Sequence, residues 1–313
     1  MAHSTVPAIT NAEVDRPLAM SLLLSLRPAQ WTKNLIVFAG LLFGQRGDAP
    51  AFLDHHAIGQ ALAAFLIFCG LSGVVYLIND VVDREADGRH PLKRHRPIAS
   101  GAVSAGLAIG TAVVLAAAAL TGAWMLRPAF ALVAITYVTL QALYSGPLKH
   151  VVIIDVLTIA IGFVLRAVAG AVAIDVPISH WLLILTILLA LFLALSKRRH
   201  ELVLLADGAT GHRPILEEYS PYLLDQMIAV VTASTLVSYV IYTISPETVQ
   251  KFHTDYLGLT LVFPLYGIFR YLYLVHQKEG GGSPADMLLN DRPLLACVAL
   301  WAMTVTVIIY GAR

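Results

Sequence analysis

The chain reads Y-L-I-N-D-V-V-D-R-E-A-D-G-R-H-P-L-K-R-H-R-P-I-A-S-G over residues 76–101, at the end of an apolar run that starts at Gln60. Three carboxylates stand at positions i, i+3 and i+7 of this stretch: Asp80, Asp83 and Asp87. On a helix these steps fall within about 60° of one another, so the spacing predicts that the three carboxylates share one face. Asn79 adds an amide oxygen beside them.

Four bases follow within ten residues: Arg89, Lys93, Arg94 and Arg96. Clustered carboxylates repel one another unless a cation lies between them, and carboxylate oxygens completed by substrate phosphates are typical Mg²⁺ ligands. The bases suit those phosphates. The pattern predicts a Mg²⁺-dependent site for a phosphorylated substrate, with the three aspartates as catalytic residues and with four metal ligands: Asn79, Asp80, Asp83 and Asp87. A solvated charged loop is the alternative, and the separation of the acids from the bases argues against it.

Composition predicts a membrane protein. The chain has 313 residues, 58% of them hydrophobic and only 13% charged, and a mean hydropathy of +0.75. No soluble domain of this length needs so much apolar surface. The polar N-terminus lacks the basic-then-apolar pattern of a signal peptide. Cys69 and Cys297 lie in apolar runs without disulfide or metal-site spacing, which favours packed helix residues.

Nine apolar segments are predicted to cross the membrane: residues 32–45, 57–80, 102–125, 128–144, 152–174, 180–196, 222–244, 256–275 and 293–310. The first is the weakest, because its apolar core is short and Arg27-Pro28 separates it from upstream leucines, which read as an interfacial helix. We therefore predict an all-α protein of nine transmembrane helices. Residues 26–313 form one domain in this prediction, and residues 1–25 form a flexible cytoplasmic arm.

The distribution of bases predicts the orientation. Sixteen of the 21 Lys and Arg residues lie in the N-terminal arm and in the loops between spans 2 and 3, 4 and 5, 6 and 7, and 8 and 9. Four lie on the other side, and Arg166 lies within a span. The positive-inside rule then places the N-terminus and the acidic stretch in the cytoplasm and the C-terminus outside the plasma membrane.

The acidic stretch resembles a known family signature. Its N-D-x-x-D-x-x-x-D pattern at residues 79–87 is similar to the first aspartate-rich motif of the UbiA superfamily of intramembrane prenyltransferases, and R-P-I-A-S-G at 96–101 is similar to that superfamily's R-P-L-x-x-G. Nine spans, and Tyr144 and Lys149 in the loop after span 4, agree with it. The resemblance covers nearly the whole chain after residue 25 and implies a central cavity capped by cytoplasmic loops.

Further strings resemble one branch of that superfamily, the decaprenyl-phosphate phosphoribosyltransferases. They are L-R-P-A-Q-W-T-K-N at 26–34, Y-L-I-N-D-V-V-D at 76–83 with H-P-L-K-R-H-R-P-I-A-S-G at 90–101, L-R-A-V-A-G at 165–170, S-K-R-R-H-E-L at 196–202 and L-L-N-D-R-P-L at 288–294. The resemblance implies an enzyme that joins a polyprenyl phosphate to phosphoribosyl diphosphate and releases diphosphate. Its product would supply pentose for cell-wall arabinan.

The loop after span 6 separates this branch from ordinary members of the superfamily. Those carry a second D-x-x-x-D motif there, whereas this chain reads K-R-R-H-E over residues 197–201. Cations in place of carboxylates suit a site that holds a 5-phosphate, a diphosphate and a lipid phosphate. Lys197 and Arg198 are therefore candidate substrate ligands. A positive-inside anchor is the alternative.

The other candidate substrate-binding residues are Lys33, Asn34, Arg89, Lys93, Arg94, Arg96, Tyr144, Lys149 and Arg166. Lys33 either reaches a phosphate or extends to lipid headgroups. An arginine near mid-membrane, such as Arg166, normally faces a bundle interior or a wet cavity. It either lines the polar pocket or is a structural residue bonded to carbonyl groups.

The favoured function is phosphoribosyl transfer to a polyprenyl phosphate. Its predicted partners are phosphoribosyl diphosphate, the lipid phosphate and the bilayer, with no nucleic acid, and a homo-oligomer is compatible with the sequence. One alternative is a prenyltransferase that joins a prenyl diphosphate to an aromatic or porphyrin acceptor, and the missing second aspartate motif argues against it. Another is a transporter or lipid flippase, although no paired broken helices are evident at mid-membrane.

Overall fold

The computed structural model describes residues 16–46, 49–90, 93–206, 214–277, 287 and 290–310. Up to the acidic stretch its elements are α1 (Leu18–Ser25), a 3₁₀ helix (Pro28–Phe38), α2 (Ala39–Phe43), an antiparallel hairpin of β1 (Gln45–Arg46) and β2 (Ala49–Pro50), a 3₁₀ turn (Ala51–Leu53) and α3 (His55–Val82). Next come α4 (Arg84–Arg89), a 3₁₀ turn (Lys93–His95), α5 (Ala105–Leu126), α6 (Pro128–Ser145), a 3₁₀ turn (Leu148–His150), α7 (Ile154–Ala173) and α8 (His180–Ala206). The last are a 3₁₀ helix (Pro214–Glu218), α9 (Pro221–Ile244), α10 (Pro246–Phe252), a 3₁₀ helix (Tyr256–Leu261), α11 (Val262–Gln277) and α12 (Arg292–Tyr310).

The predicted all-α membrane architecture is confirmed. Within the described residues, eight helical segments are long and apolar enough to cross a membrane. They are α3, α5, α6, α7, α8, α9, Tyr256–Gln277 and α12, and they match the second to the ninth predicted spans. The first predicted span, residues 32–45, is not a long α-helix. The predicted number of nine such helices is therefore not reached in this part of the chain.

Residues 28–43 form a segment that is longer along its axis than an α-helix with the same number of residues. Eleven residues are 3₁₀-helical and the next five are α-helical. Because a 3₁₀ helix rises about 2.0 Å per residue against about 1.5 Å in an α-helix, the segment is about 30 Å long. That length is about the thickness of the hydrocarbon core of a bilayer. Because of the larger rise per residue, this segment matches the bilayer thickness even though the apolar core of the first predicted span is short.

Small residues let this segment lie directly against α7. A Cβ atom added to Gly170 would lie 1.8 Å from the carbonyl oxygen of Val37, and one added to Gly40 would lie 2.9 Å from the Cα atom of Ala171. The two backbones therefore meet without side chains between them. Small residues commonly allow such close approach between membrane helices. The contact fixes residues 28–43 inside the bundle.

Helix α7 lies between two packed groups of helices. On one side α3, α5, α6 and residues 28–43 form a core that includes Phe68 and Phe130. On the other side α8, α9, α11 and α12 form a second core that includes Phe192 and Tyr271. Large apolar side chains such as Val114 are exposed on the outer faces, as expected for a surface in contact with lipid.

Helix α1 extends the folded unit toward the N-terminus. Leu22 and Leu26 pack against Val74 and Leu77 of α3. Residues 1–15 of the predicted flexible arm lie outside the described residues. Residues 18–25 are helical and packed, so the folded unit begins before the predicted boundary at residue 26.

The alternating helices give the bundle two ends. α3, α6, α8 and α11 finish at one end, and α5, α7, α9 and α12 begin there. We call this end the motif face, because it carries the acidic stretch. The opposite end, the far face, carries the β-hairpin and α10.

Candidate active site on the motif face

The acidic stretch crosses a helix end. α3 ends at Val82, α4 begins at Arg84, and Asp83 lies between them with φ −86° and ψ 5°. Asp80 and Asp87 are buried, whereas Asp83 is exposed. A helix end therefore interrupts the predicted common face. Arg96 contacts Asp80 and Asp87, and Asp83 lies at the junction of the two helices, exposed to solvent.

Arg96 joins the two buried carboxylates. Its Nη1 atom donates to Oδ1 of Asp80 at 3.2 Å and to Oδ2 of Asp87 at 2.5 Å. The Nζ atom of Lys93 lies 3.9 Å from Oδ1 of Asp87. Two of the four bases predicted from the stretch therefore reach its carboxylates directly.

Three other predicted binding residues lie at the edge of the motif face. Arg89 and Arg94 are exposed, and the Nε atom of Arg94 donates to the ring of His95 at 3.3 Å. Lys149 is half-buried in the 3₁₀ turn between α6 and α7. These residues add positive charge to the motif face.

Arg27 is a site residue that the sequence analysis did not select. Its Nη2 atom donates to Oδ1 of Asp80, and its guanidinium carbon lies 4.8 Å from the centroid of the Tyr76 ring. Its backbone is left-handed, with φ 53° and ψ 63°, immediately before Pro28. The available signal was its place in the string at residues 26–34 that resembles the phosphoribosyltransferase branch.

A buried polar network lies deeper in the bundle, around Arg166. Its Nε atom donates to Oδ1 of Asn34 at 2.8 Å, Nη2 donates to the hydroxyl of Tyr137 at 2.7 Å, and Nη1 donates to the carbonyl of Gly162 at 2.9 Å. Among the described residues, its hydrogen-bond partners are all neutral. Because helical side chains tilt toward the N-terminus of their helix, Arg166 is directed toward the motif face. The network brings together two predicted site residues, Asn34 and Arg166, and leaves the arginine charge uncompensated by a bonded carboxylate.

Two partly buried lysines add positive charge near this network. Lys33 is half-buried on the 3₁₀ helix, within electrostatic range of Arg27, Arg166 and Lys197. Lys197 lies on α8, and its Nζ atom is 3.9 Å from the carboxylate of Glu201. Like charges at short range repel unless an anion joins them. This concentration of cations near the aspartates suits a substrate that carries several phosphates.

Arg198 lies in a buried ion-pair network. Its Nε atom donates to Oδ2 of Asp155 at 2.9 Å, Nη1 donates to Oε2 of Glu201 at 2.7 Å, and Nη2 donates to the hydroxyl of Tyr144 at 3.3 Å. The exposed fractions of the Arg198 and Asp155 side chains are 2% and 0%. The structure thus places Arg198 and Tyr144, both predicted as substrate ligands, in a network that joins α6, α7 and α8.

Tyr219 extends this network to the segment before α9. Its hydroxyl donates to Oδ1 of Asp155 at 2.8 Å and accepts a hydrogen bond from the backbone N–H of Ile153 at 2.7 Å. Burial, together with the Asp155 carboxylate, raises the pKa of Tyr219 to about 12. The hydroxyl therefore stays protonated at neutral pH and keeps its bond to Asp155. Ile153 has a left-handed φ of 68°, which is rare for a β-branched residue, so this contact holds a strained start of α7 in place.

The three consecutive bases on α8 meet three different environments. Lys197 is partly exposed beside Glu201, Arg198 is buried, and the Nε atom of Arg199 donates to Oδ1 of Asp225 on α9 at 2.5 Å. Successive residues on a helix are about 100° apart, which separates their directions. A solvated positive-inside anchor would leave such side chains exposed. The side chains of Arg198 and Arg199 are 2% and 17% exposed, whereas that of Lys197 is 42% exposed.

The candidate metal ligands fit Mg²⁺ by their chemistry. All of them offer carboxylate or amide oxygens, which this ion prefers: Asn79, Asp80, Asp83 and Asp87. In the described part of the chain no three His, Cys, Asp or Glu side chains converge on one point. Arg27 and Arg96 instead lie against the carboxylates where a divalent cation would bind. The donor set, rather than the present distances, supports the metal site.

A polar cavity of about 490 Å³ lies on the far face, away from these residues. It is lined by Gln45, Arg46, Asp175, Pro177 and Lys251. Arg46 is paired with Asp54 at 2.7 Å, and the Nζ atom of Lys251 donates to the carbonyl of Phe43 at 2.7 Å. Both basic side chains that line this cavity are already paired, and the cavity lies at the opposite end of the bundle from the candidate site. It is therefore not part of that site.

The fold and the site define a multi-pass membrane protein whose polar site is enclosed by its helices at one end of the bundle. The model of the UbiA prenyltransferase family matches residues 34–290, and the chain belongs to that family. It is 32% identical to the decaprenyl-phosphate phosphoribosyltransferase of Mycolicibacterium smegmatis, over 98% of both chains. It is 33% identical to the protein of the same name from Mycobacterium tuberculosis, over 90% of this chain and 91% of that protein.

A solved structure shares the fold. The structure of a UbiA homolog from Archaeoglobus fulgidus bound to GPP and Mg²⁺ superposes with a TM-score of 0.69. The match covers 92% of this chain and 99% of that chain, at 18% sequence identity. The helical arrangement is therefore that of the UbiA family.

Proposed function

We propose that this chain transfers 5-phosphoribose from phosphoribosyl diphosphate to a polyprenyl phosphate, with decaprenyl phosphate as the first substrate to test, and releases diphosphate. The observation that carries the proposal is the 32% identity, along 98% of both chains, to a protein named decaprenyl-phosphate phosphoribosyltransferase. The aligned length, 98% of this chain, takes in the acidic stretch and the basic segment of α8. Ordinary superfamily members carry a second aspartate motif in place of this basic segment.

Mg²⁺ is the cofactor that suits the acidic stretch. The Archaeoglobus fulgidus homolog is described with bound Mg²⁺, and the oxygen donors of this chain fit the same ion. Asn79, Asp80, Asp83 and Asp87 would hold it. When bound, Mg²⁺ neutralises the charge that develops on the leaving diphosphate.

The cations around the metal ligands bind the remaining anionic groups. Lys93 and Arg96, which already reach the carboxylates, hold the diphosphate beside them. Lys33 and Lys197, which lie within electrostatic range of each other, bind phosphate at the membrane side of the site. Arg89, Arg94 and Lys149 attract anionic substrate to the motif face.

Other predicted ligands act by positioning. Arg166 holds the side chain of Asn34 next to Lys33 on the 3₁₀ helix. Arg198 and Tyr144 hold the start of α7 against α8 through Asp155. These residues fix the helices that carry the phosphate-binding side chains.

The reaction needs little from the protein beyond placement and charge. A phosphate oxygen of the lipid attacks the anomeric carbon of the ribose, and the bond from that carbon to the diphosphate oxygen breaks. Because a lipid phosphate is already an anion near neutral pH, no side chain has to remove its proton. Attack opposite the leaving group inverts the configuration at this carbon. Holding both substrates in line supplies much of the rate enhancement.

The test is a transfer assay with purified protein in detergent. The mixture contains Mg²⁺, decaprenyl phosphate and radiolabelled phosphoribosyl diphosphate, and label is measured in the lipid phase. Label that appears with Mg²⁺ and disappears with EDTA supports the proposal. Absence of label, together with consumption of a prenyl diphosphate in the presence of an aromatic acceptor, would instead support the broader prenyltransferase activity that gives the family its name.

A further inference from the structure

The backbone of Arg27 is held in an unfavourable conformation. Its φ of 53° and ψ of 63° lie in the left-handed region, which non-glycine residues seldom occupy. The following residue, Pro28, disfavours this conformation further, because a residue before proline is biased toward extended backbone. Strain of this kind persists where the surrounding structure maintains it, and it concentrates at functional sites.

The strained backbone directs the side chain into the acidic stretch. The guanidinium crosses the face of Tyr76 at 4.8 Å and donates to Oδ1 of Asp80. The Asp80 side chain is 4% exposed, so this contact lies in a largely dry environment. Arg27 immediately precedes the 3₁₀ helix that carries Lys33 and Asn34, which connects it to the deeper part of the site.

Two guanidinium groups share one carboxylate oxygen. Oδ1 of Asp80 accepts hydrogen bonds from both Arg27 and Arg96, and Arg96 also binds Asp87. A divalent cation would need these same oxygens. Arg27 and the metal therefore compete for Asp80, whereas a metal-bound diphosphate offers new oxygens on which a displaced guanidinium can bind.

We infer that Arg27 is a further substrate-binding residue, which neutralises Asp80 while the site is empty and moves onto the diphosphate when metal and diphosphate bind together. The inference rests on the metal–diphosphate part of the proposed function. It requires that Mg²⁺ and diphosphate each favour binding of the other, since both act on the same arginine.

The experiment compares two equilibria in the full-length protein. Binding of Mn²⁺ alone is followed by the electron paramagnetic resonance signal of free Mn²⁺, and binding of the preformed complex of Mn²⁺ with inorganic diphosphate is followed by calorimetry. The variant is Arg27→Asn, because asparagine tolerates a left-handed backbone and lacks the guanidinium. Arg27→Lys keeps a positive charge. Arg46→Gln is the control, since it removes one arginine that is paired with Asp54 on the far face.

We expect the two equilibria of Arg27→Asn to change in opposite directions. Mn²⁺ alone should bind about tenfold more tightly than to the native protein, because a competing charge is gone, and the diphosphate complex should bind about tenfold more weakly. Arg27→Lys should lie between native and Arg27→Asn in both measurements, and Arg46→Gln should match the native protein. A purely structural role for Arg27 would not produce opposite changes.

Two other outcomes overturn the inference in distinguishable ways. If native protein binds both ligands and Arg27→Asn leaves both affinities unchanged, or weakens both, Arg27 is structural and the proposed transfer reaction is unaffected. If native protein binds neither Mn²⁺ nor its diphosphate complex, the metal–diphosphate site fails, and the proposed function fails with it.

Discussion

At the scale of single residues, the three aspartates of the acidic stretch differ in their contacts and in their exposure to solvent. Asp80 and Asp87 are bonded to arginines, whereas Asp83 is exposed. We therefore expect Asp83→Asn to abolish transfer, since it removes a charged metal ligand, and to change the free energy of unfolding by less than about 0.5 kcal/mol, as for other surface substitutions. The transfer assay and thermal unfolding in detergent measure the two effects separately.

Asp87→Asn is the matched comparison for this prediction. It removes the carboxylate that accepts the 2.5 Å bond from Arg96, so it should lower both transfer and the unfolding temperature. Normal Mg²⁺-dependent transfer by the Asp83→Asn variant would show that Asp83 is not a metal ligand.

The pair of Asp155 and Arg198 supports a second prediction about single residues. Both side chains are almost completely buried, and removing one partner of such a pair typically costs about 3–5 kcal/mol. Asp155→Leu should therefore destabilise the protein by about 3 kcal/mol. The double variant Asp155→Leu with Arg198→Met should recover part of that loss, because no fully buried charge is then left unpaired. Glu201, which loses its bond to Arg198, is partly exposed and still lies 3.9 Å from the Nζ atom of Lys197. Thermal unfolding in one detergent gives both values.

The control for this pair is an exposed one. Arg46→Gln breaks the contact with Asp54 on the far face. Because this pair is solvent-exposed, the unfolding temperature should stay close to that of the native protein. If Arg198 were mainly a substrate ligand, the Asp155→Leu variant would unfold at nearly the native temperature. Its only defect would be weaker binding of phosphoribosyl diphosphate.

At the scale of elements, the contact between α7 and residues 28–43 sets the position of the site, and it yields the third prediction. Gly170→Ala would place a Cβ atom 1.8 Å from the carbonyl oxygen of Val37, so one backbone must move. We expect a loss of more than about 3 kcal/mol, at the upper end of the usual cost of overpacking. Because Asn34 and Lys33 lie on the displaced segment, transfer should fall as well. Unfolding temperature and transfer rate are the measurements.

Gly110 provides the control for Gly170→Ala, because a methyl group added there meets no neighbouring atom. Gly110 in α5 has nothing within 4 Å of a built Cβ atom, and Gly110→Ala should keep full transfer and gain up to about 1 kcal/mol from helix propensity. Equal unfolding temperatures for the two alanine variants would mean that the packing between α7 and residues 28–43 is looser than the structure shows.

The elements also show which features a sequence can predict. The eight long spans were predicted because each is an apolar run of bilayer length, and α3 and α7 begin and end within a few residues of their predicted limits. The 3₁₀ form of residues 28–38 was not predicted, because apolar pattern does not specify helix pitch. The partners Arg27 and Asp80 are 53 positions apart, and Asp155 and Arg198 are 43 apart, so only the packed helices reveal these pairs.

At the scale of the whole molecule, charge and fold together determine which side the site faces. The ends of α3, α6 and α8 and the starts of α5, α7 and α9 meet at the motif face. Sixteen of the 21 Lys and Arg residues lie in the N-terminal arm and in the loops and helix ends predicted for this side. Residues 28–43 are long enough to connect the two faces. We therefore propose that the motif face and the N-terminus are cytoplasmic and that the C-terminus lies on the other side of the membrane.

Cysteine labelling tests this orientation, because the two native cysteines are buried. Glu218 precedes α9 on the motif face and Glu247 begins α10 on the far face, and both are exposed. In intact cells a membrane-impermeant maleimide should label Glu247→Cys and not Glu218→Cys, and it should label both after the membrane is opened. The reverse pattern would place the site outside the cell. It would then have no access to phosphoribosyl diphosphate made in the cytoplasm, so the orientation and the proposed substrate would fail together.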